Sequence, residues 1–231
     1  MGSRLFFWIG AIVLAGLFIW GMDYVLTPEN GDAEFQKMLD ATEQVKSFRG
    51  TYVGSTPSTQ HAENLWEVDC NQAIVHKRST ELPMGANPVE STEDIFLVRS
   101  DQKFTRNSDG SWTQTKYTSV QYSASWYCDN LAQGSLRDLL PNIRAMLRSA
   151  TFGKADKKTV NGVACQNWKF AMHSASSGQR GSVCIGLQDH LPYEMITDNV
   201  GHYSYTDYNQ PLQFDAPEAV LQAASSSDGS N

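Results

Sequence analysis

The sequence lacks the short motifs that mark common catalytic and nucleotide-binding sites. It contains no G-x-S-x-G nucleophile elbow, no H-E-x-x-H metal motif, no phosphate-binding loop and no G-x-G-x-x-G stretch. We therefore expect no catalytic residues, no metal and no cofactor. A hydrolase whose active site assembles from distant residues is the weakest of the alternatives. The five histidines have no metal-ligand spacing and are expected at the surface or in turns; they are His61, His76, His173, His190 and His202.

Positive charge is also scarce. The chain has 18 lysines and arginines against 25 aspartates and glutamates, which gives a formal net charge of −7. This balance disfavours a nucleic-acid-binding protein and offers no polybasic patch for anionic lipid. In contrast, 6 tryptophans, 10 phenylalanines and 9 tyrosines indicate a packed aromatic domain.

The four cysteines form no C-x-x-C pair, which excludes a zinc ribbon and a thioredoxin-type redox site. An even set without such pairs predicts two structural disulfides in an oxidising compartment. Three pairings are possible. Sequential pairing, Cys70 with Cys128 and Cys165 with Cys184, is preferred because the later member of each pair lies in a strand-like segment. Free buried thiols are the alternative.

A long apolar run is present at the N-terminus. Residues 5–22 (LFFWIGAIVLAGLFIWGM) carry no charge, and 18 helical residues span roughly 27 Å, enough to cross a bilayer core. Arg4 precedes the run, whereas Asp23, Glu29 and Asp32 follow it. The charge bias therefore predicts a cytoplasmic N-terminus and an extracytoplasmic, periplasmic-side remainder. A buried core helix is the alternative.

The same run is a poor substrate for signal peptidase. Its only marginal cleavage site is Ile19-x-Gly21, and Trp20 and Tyr24 suit the membrane interface. We therefore favour an uncleaved single-pass anchor over a signal peptide. The absence of a nearby cysteine argues against a lipid-anchored lipoprotein.

Composition divides the chain into four parts. Residues 1–24 form the predicted membrane anchor and residues 25–32 (VLTPENGD, with a proline and a glycine) a short linker. The globular domain is expected over 33–218. Small polar residues predict a disordered tail over 219–231.

Within the domain, the patterns predict a helix, a strand meander, a second helix and another meander. The first helix is expected over 33–46, with Asp32 as its N-cap, and a loop over 81–92. The second helix is expected over 135–150, either bent at Pro141 or starting there. Strands resume at 158 and end in a short edge strand over 212–214. The result is an α+β domain: one large curved antiparallel sheet, a half-barrel, with helices on one face.

A curved sheet covered by helices can enclose an apolar ligand cavity. Large aromatic side chains are the candidates for lining it, and ordinary core packing is the alternative for each of them. The candidates are Trp66, Trp112, Trp126, Trp168, Tyr203 and Tyr205.

Three stretches resemble the LolA/LolB-like superfamily and its LppX/LprG relatives. They are residues 160–165 (VNGVAC), 183–193 (VCIGLQDHLPY) and 205–217 (YTDYNQPLQFDAP), after a strand entry at 45–50 (VKSFRG). The resemblance implies a half-barrel with a lipid-binding cavity and a role in carrying lipid or lipoprotein acyl chains across the envelope. The resemblance implies no catalytic residues for this chain. The carriers of that family are soluble or are lipid-anchored through a cysteine, whereas this chain is expected to keep an uncleaved membrane helix.

Two functions follow as expectations. The first is a membrane-tethered, non-enzymatic extracytoplasmic domain that binds a lipid or another hydrophobic ligand. The second is a single-helix accessory or scaffold subunit of a larger membrane complex. The expected partners are the membrane, through residues 5–22, and either acyl chains or the subunits of such a complex.

Overall fold

The computed structural model describes residues 31–56, 59–85, 87–116, 123–129, 150–172, 180–198 and 201–226. Eleven strands and three helices lie in these ranges. In chain order they are α1 (Gly31–Thr42), β1 (Ser47–Thr56), β2 (Thr59–Asp69), β3 (Ile74–Pro83), β4 (Ser91–Val98), β5 (Gln102–Arg106), β6 (Trp112–Lys116), α2 (Ala124–Asp129), β7 (Ala150–Val160), β8 (Val163–Met172), β9 (Arg180–Gly186), β10 (Pro192–Thr197), β11 (Gly201–Thr206) and α3 (Glu218–Ser225).

All eleven strands belong to one open antiparallel sheet. Its order is β6-β5-β4-β3-β2-β1-β11-β10-β9-β8-β7, so neighbours in the sheet are neighbours in sequence except at the β1–β11 junction. There Tyr52 pairs with Tyr203 and Arg49 with Thr206. The α+β class and the large antiparallel sheet are confirmed. The sheet does not close into a barrel, because the described strands leave β6 and β7 as its two edges.

The two faces of the sheet follow from the alternation of side chains along each strand. On β3, Val75 belongs to the main core, whereas His76 lies on the opposite face beside Phe96. Helix α1 packs on the Val75 side, where the ring centroids of Phe35 and Phe152 are 4.1 Å apart. We call the face that contacts α1 the inner face and the other one the outer face.

The inner face carries the main hydrophobic core. It joins α1 to both halves of the sheet and includes α2, so one core spans the β1–β11 junction. Its largest members are almost fully buried, and burial of each such side chain contributes about 1.5–3 kcal/mol. They include Phe35, Met38, Phe48, Trp168, Phe170, Met195 and Tyr205.

A second, smaller core lies on the outer face under α3. Val220 of this helix is fully buried against Ile74, Phe96 and Val98. The prediction of a disordered tail over 219–231 is therefore wrong for residues 219–225, because one buried valine and its neighbours dock the helix. The expectation that all helices lie on one face is also wrong, since α3 lies opposite α1.

The segment between β11 and α3 runs without regular structure. Residues 212–214, predicted as an edge strand, form no strand. Instead, the buried carboxylate of Asp69 accepts hydrogen bonds from the amide of Leu212 at 3.2 Å and from the side chain of Gln72 at 2.8 Å. A side chain thus takes the place of a neighbouring strand.

Several predicted boundaries shift. Helix α1 ends at Thr42 rather than at residue 46. The predicted loop over 81–92 is shorter than expected, because β3 continues to Pro83 and β4 already begins at Ser91. The predicted anchor (5–22) and nearly all of the predicted second helix (135–150) lie outside the described residues. No helix in the described ranges is long and apolar enough to cross a bilayer.

Both disulfides follow the sequential pairing. Cys70 joins Cys128 with a Cα–Cα distance of 5.4 Å, and Cys165 joins Cys184 at 5.5 Å. The first bond ties α2 to the β2–β3 turn. The second crosses from β8 to β9 on the outer face.

Candidate functional site

A cleft remains open on the inner face over β2, β3 and β4. Its volume is about 230 Å³. Trp66 and Ile95 supply its apolar wall, and both side chains are only half-buried. Its polar atoms come from Asn64, Lys77, Arg78, Ser79, Glu81 and Glu93. Strand alternation places all of these lining side chains except that of Arg78 on the same face of three adjacent strands, with Trp66 paired directly to Lys77.

Helix α2 lies beside this cleft and is held there by the Cys70–Cys128 disulfide. The ammonium of Lys77 lies 4.0 Å from the ring centroid of Tyr127 and donates a hydrogen bond to the Tyr127 hydroxyl. A cation over an aromatic face is attracted by the ring quadrupole. The disulfide therefore fixes both α2 and the direction of the lysine at the rim of the cleft.

The structure separates the aromatic residues that were expected to line one cavity. Trp168, Tyr203 and Tyr205 are buried in the main core. Trp112 lies on the outer face, with its ring centroid 5.4 Å from that of Phe96. The side chain of Trp126 lies outside the described residues. Trp66 is the one candidate that the described structure places at an inner cleft.

The tyrosines of the main core show how apolar the rest of the inner face is. The rings of Tyr52 and Tyr203 lie 4.7 Å apart. Burial, with a smaller contribution from Tyr52, raises the pKa of Tyr203 to about 12. Burial also raises the pKa of Tyr205 and of Tyr208 well above the usual value. This part of the inner face is filled core and has little contact with water.

A second opening, a groove of about 540 Å³, crosses the ends of β7–β10. Most of its lining side chains belong to the outer face by strand alternation. Its apolar part comes from Phe152 and Phe170 of the inner face and from Ile196 of the outer face. Its charged part comes from Lys169, Arg180 and Asp198. No sequence pattern pointed to this groove, because its residues come from four strands.

Sequence reasoning also missed a chain of charged side chains across the outer face. We call it the ionic chain; in order across the sheet it contains Asp207, Arg49, Glu67, His76, Asp94 and then both Arg78 and Arg106. Each contact joins residues of neighbouring strands, except that Asp207 lies just after the end of β11. In the sequence each member is a single charged residue among other residue types, a pattern that is more often found on a solvated surface.

The centre of the ionic chain is buried. Glu67 and Asp94 expose only 9% and 4% of their side chains, and His76 exposes 4%. Burial alone would raise the pKa of Glu67, but hydrogen bonds from His76 and Arg49 outweigh it and lower that pKa. The ionic chain is thus a series of ion pairs that joins the strands of the sheet. In the described residues, no group of three or more metal-ligating side chains converges.

Comparison with known proteins gives distant structural likenesses only. The sequence matches no family model, and no curated protein is significantly similar to it. The crystal structure of MucB is similar with a TM-score of 0.43 and 13% identity over 85% of this chain. A Pseudomonas aeruginosa MucA/MucB complex gives a TM-score of 0.39 and 12% identity over 83% of this chain.

A lipoprotein-sorting protein domain is also similar. It is a putative outer-membrane domain from Vibrio parahaemolyticus, with a TM-score of 0.23 and 6% identity over 81% of this chain and 97% of that one. This chain spans 63% of the MucB chain and 60% of the one in the complex. Scores at this level establish no family for the chain.

Proposed function

We propose that this chain is a non-enzymatic extracytoplasmic domain, held to a membrane by residues 5–22, that binds an apolar chain of a lipid in the inner cleft. The observation that carries this proposal is the half-buried Trp66. The other inner-face aromatics with described side chains are packed in the core, whereas Trp66 and Ile95 face a cleft. An apolar wall of this kind gains free energy when a hydrocarbon replaces water on it.

The size and chemistry of the cleft define the ligand. Its volume of about 230 Å³ lies below the roughly 300–1,000 Å³ of ordinary ligand pockets. It therefore suits one apolar chain rather than a whole lipid. The ammonium of Lys77 at the rim would meet the polar end of such a chain.

The membrane location has separate support. Eight residues separate the apolar run from Gly31 at the start of α1, and an extended chain of that length spans at most about 28 Å. The domain would therefore stay close to the bilayer surface. Two disulfides with no free cysteine among the described residues suit an oxidising compartment outside the cytoplasm. The LolA/LolB-like resemblance of the sequence points to the same ligand class.

Native mass spectrometry of the detergent-purified full chain tests the proposal. The expected spectrum shows a monomer with co-purified lipid. Trp66→Ala should lower the lipid-bound fraction about tenfold, since the lost apolar contact is worth about 1.5 kcal/mol or more. Trp112→Ala, on the outer face, is the matched control and should keep its lipid. Equal lipid in both variants would place the ligand elsewhere and contradict the proposal.

The second candidate is an accessory or scaffold subunit of a larger membrane complex. The filled part of the inner face favours it, because Trp168, Tyr203 and Tyr205 pack as core rather than around a cavity. The same spectra separate the two candidates. Stable partner subunits without bound lipid would support the scaffold and exclude the lipid-binding domain.

A further inference from the structure

A polar cleft of about 480 Å³ lies on the outer face, on the opposite side of the sheet from the inner cleft. It is lined by Arg78, Thr92, Asp94 and Arg106, and by the Asn107–Gly110 turn between β5 and β6. Its volume falls within the range of ordinary small-molecule sites. Of these residues, Arg78 also borders the inner cleft, and none of them takes part in the lipid-binding proposal.

Two guanidinium groups point into this cleft from strands on either side of Asp94. Arg78 donates from Nε and Nη2 to Oδ2 of Asp94, at 3.1 and 2.9 Å. Nη1 of Arg106 lies 3.6 Å from the same oxygen. Both arginine side chains remain about half exposed, at 43% and 51%, so their other N–H groups reach solvent in the cleft.

Asp94 is also held from behind. Its Oδ1 accepts a hydrogen bond from Nε2 of His76, whose Nδ1 lies 2.7 Å from Glu67. Its Oδ2 faces both arginines, so two guanidinium groups share one carboxylate. An excess of positive charge therefore lies at the end of the ionic chain that opens into the cleft.

The acidic group of the nearby turn does not cancel this surplus. Asp109 is fully exposed, and its carboxylate accepts hydrogen bonds from the amide and the hydroxyl of Ser111 at 2.9 and 2.6 Å. It is not among the residues that line the cleft. Two arginines that converge in a polar cleft can bind a phosphate group, because its oxygens accept hydrogen bonds from both guanidinium groups.

We propose that the Arg78–Arg106 cleft is a binding site for a phosphate group, carried either by a lipid headgroup or by a free solute. The buried Asp94 is a positioning residue that holds the two guanidinium groups toward each other. Because one carboxylate is shared between two half-exposed guanidinium groups, N–H groups of both arginines remain available to the anion.

Amide NMR spectra of the full chain in a neutral maltoside detergent test the site. Titration with inorganic phosphate should shift the amides of Asn107, Ser108 and Gly110 in a saturable way. Arg106→Gln should weaken phosphate binding about tenfold, because a hydrogen bond to a charged group is worth about 1.5–3 kcal/mol. Lys103→Gln removes the same charge from the same strand but from the inner face, and should leave the affinity within twofold.

A second arm identifies the source of the phosphate. The full chain is placed in nanodiscs of phosphatidic acid or of a phosphate-free glycolipid, and the same amides are followed. Shifts with phosphatidic acid that Arg106→Gln removes indicate a lipid headgroup. A response to inorganic phosphate alone indicates a free solute. The proposal is overturned if neither probe shifts these amides, or if Lys103→Gln weakens binding as much as Arg106→Gln.

Discussion

Nε2 of His76 lies 2.8 Å from Oδ1 of Asp94, and both side chains are nearly inaccessible to water. The imidazole is stacked on Phe96, with ring centroids 4.2 Å apart and planes 7° from parallel. Its other ring nitrogen, Nδ1, lies 2.7 Å from Oε2 of Glu67. One buried imidazole thus joins two buried carboxylates on neighbouring strands, and the ring of Phe96 stacks on its face.

Removing the imidazole of His76 should lower the free energy of unfolding strongly. His76→Leu leaves Glu67 and Asp94 without their common buried partner, and breaking a buried ion pair in this way costs about 3–5 kcal/mol. His61→Leu is the control, since the His61 side chain pairs with Glu63 on an exposed part of β2 and its loss should cost under about 0.5 kcal/mol. Urea unfolding followed by circular dichroism gives both values. Equal stabilities of the two variants would contradict the burial argument.

The contribution of Glu67 should depend on pH. Its pKa is lowered in the folded protein, so its stabilisation is complete above the unfolded value of 4.5 and is lost as the pH falls through the lower folded value. Glu67→Gln should therefore cost about 3 kcal/mol at pH 7 and much less at pH 3.

Glu63→Gln serves as the control for this pH dependence. Glu63 lies on the same strand and face with 60% of its side chain exposed, so the substitution should change the free energy of unfolding little at either pH. Unfolding free energies at the two pH values measure the effect. A Glu67→Gln penalty that stays constant with pH would show that its charge is not what stabilises the fold.

The two disulfides should differ in what they support. Chain-entropy arguments give about 4 kcal/mol for Cys70–Cys128, which closes the longer loop, and about 3 kcal/mol for Cys165–Cys184. Paired serine variants of each bond should show this order in thermal melts. Loss of Cys70–Cys128 should also reduce lipid retention, because that bond holds Tyr127 beside Lys77. Loss of Cys165–Cys184 should leave retention of lipid unchanged.

Two glycines on neighbouring parts of the sheet offer a test of close packing. A Cβ atom on Gly181 would lie 2.2 Å from the carbonyl oxygen of Ile196 and 2.5 Å from the ring of Phe170. Because the carbonyl belongs to the paired strand, Gly181→Ala should cost about 3 kcal/mol. Gly153→Ala, with nothing within 4 Å of its Cβ, should be close to neutral. Chemical denaturation of both variants measures the contrast.

Local signals in the sequence predicted most of the strands and turns. Asn161 and Gly162 both take positive φ angles, 50° and 81°, in the tight hairpin turn that their sequence indicated. Such turns depend on residues close together in the chain, which is why a sequence pattern contains them. The disulfide pairing was also predicted correctly, but its reason holds only for Cys184 in β9, because Cys128 lies in helix α2.

Features that join distant segments could not be predicted in this way. No local pattern indicates that β1 pairs with β11, or that Val220 in a serine-rich segment docks on Ile74 and Phe96. The ionic chain was missed for the same reason. Arg49 and Glu67 each occupy an ordinary outward position, and only the assembled sheet brings them together with His76 and buries them.

The single junction between β1 and β11 has a consequence for the order of folding. Each half of the sheet is a meander whose strands pair with their sequence neighbours, so each half needs only short loops to close. Each disulfide also lies within one half, so oxidation can be completed in either half alone. We therefore expect the slow step to be the encounter of the two halves, which brings the Ser47 hydroxyl to the carbonyl of Gln210, 163 residues away.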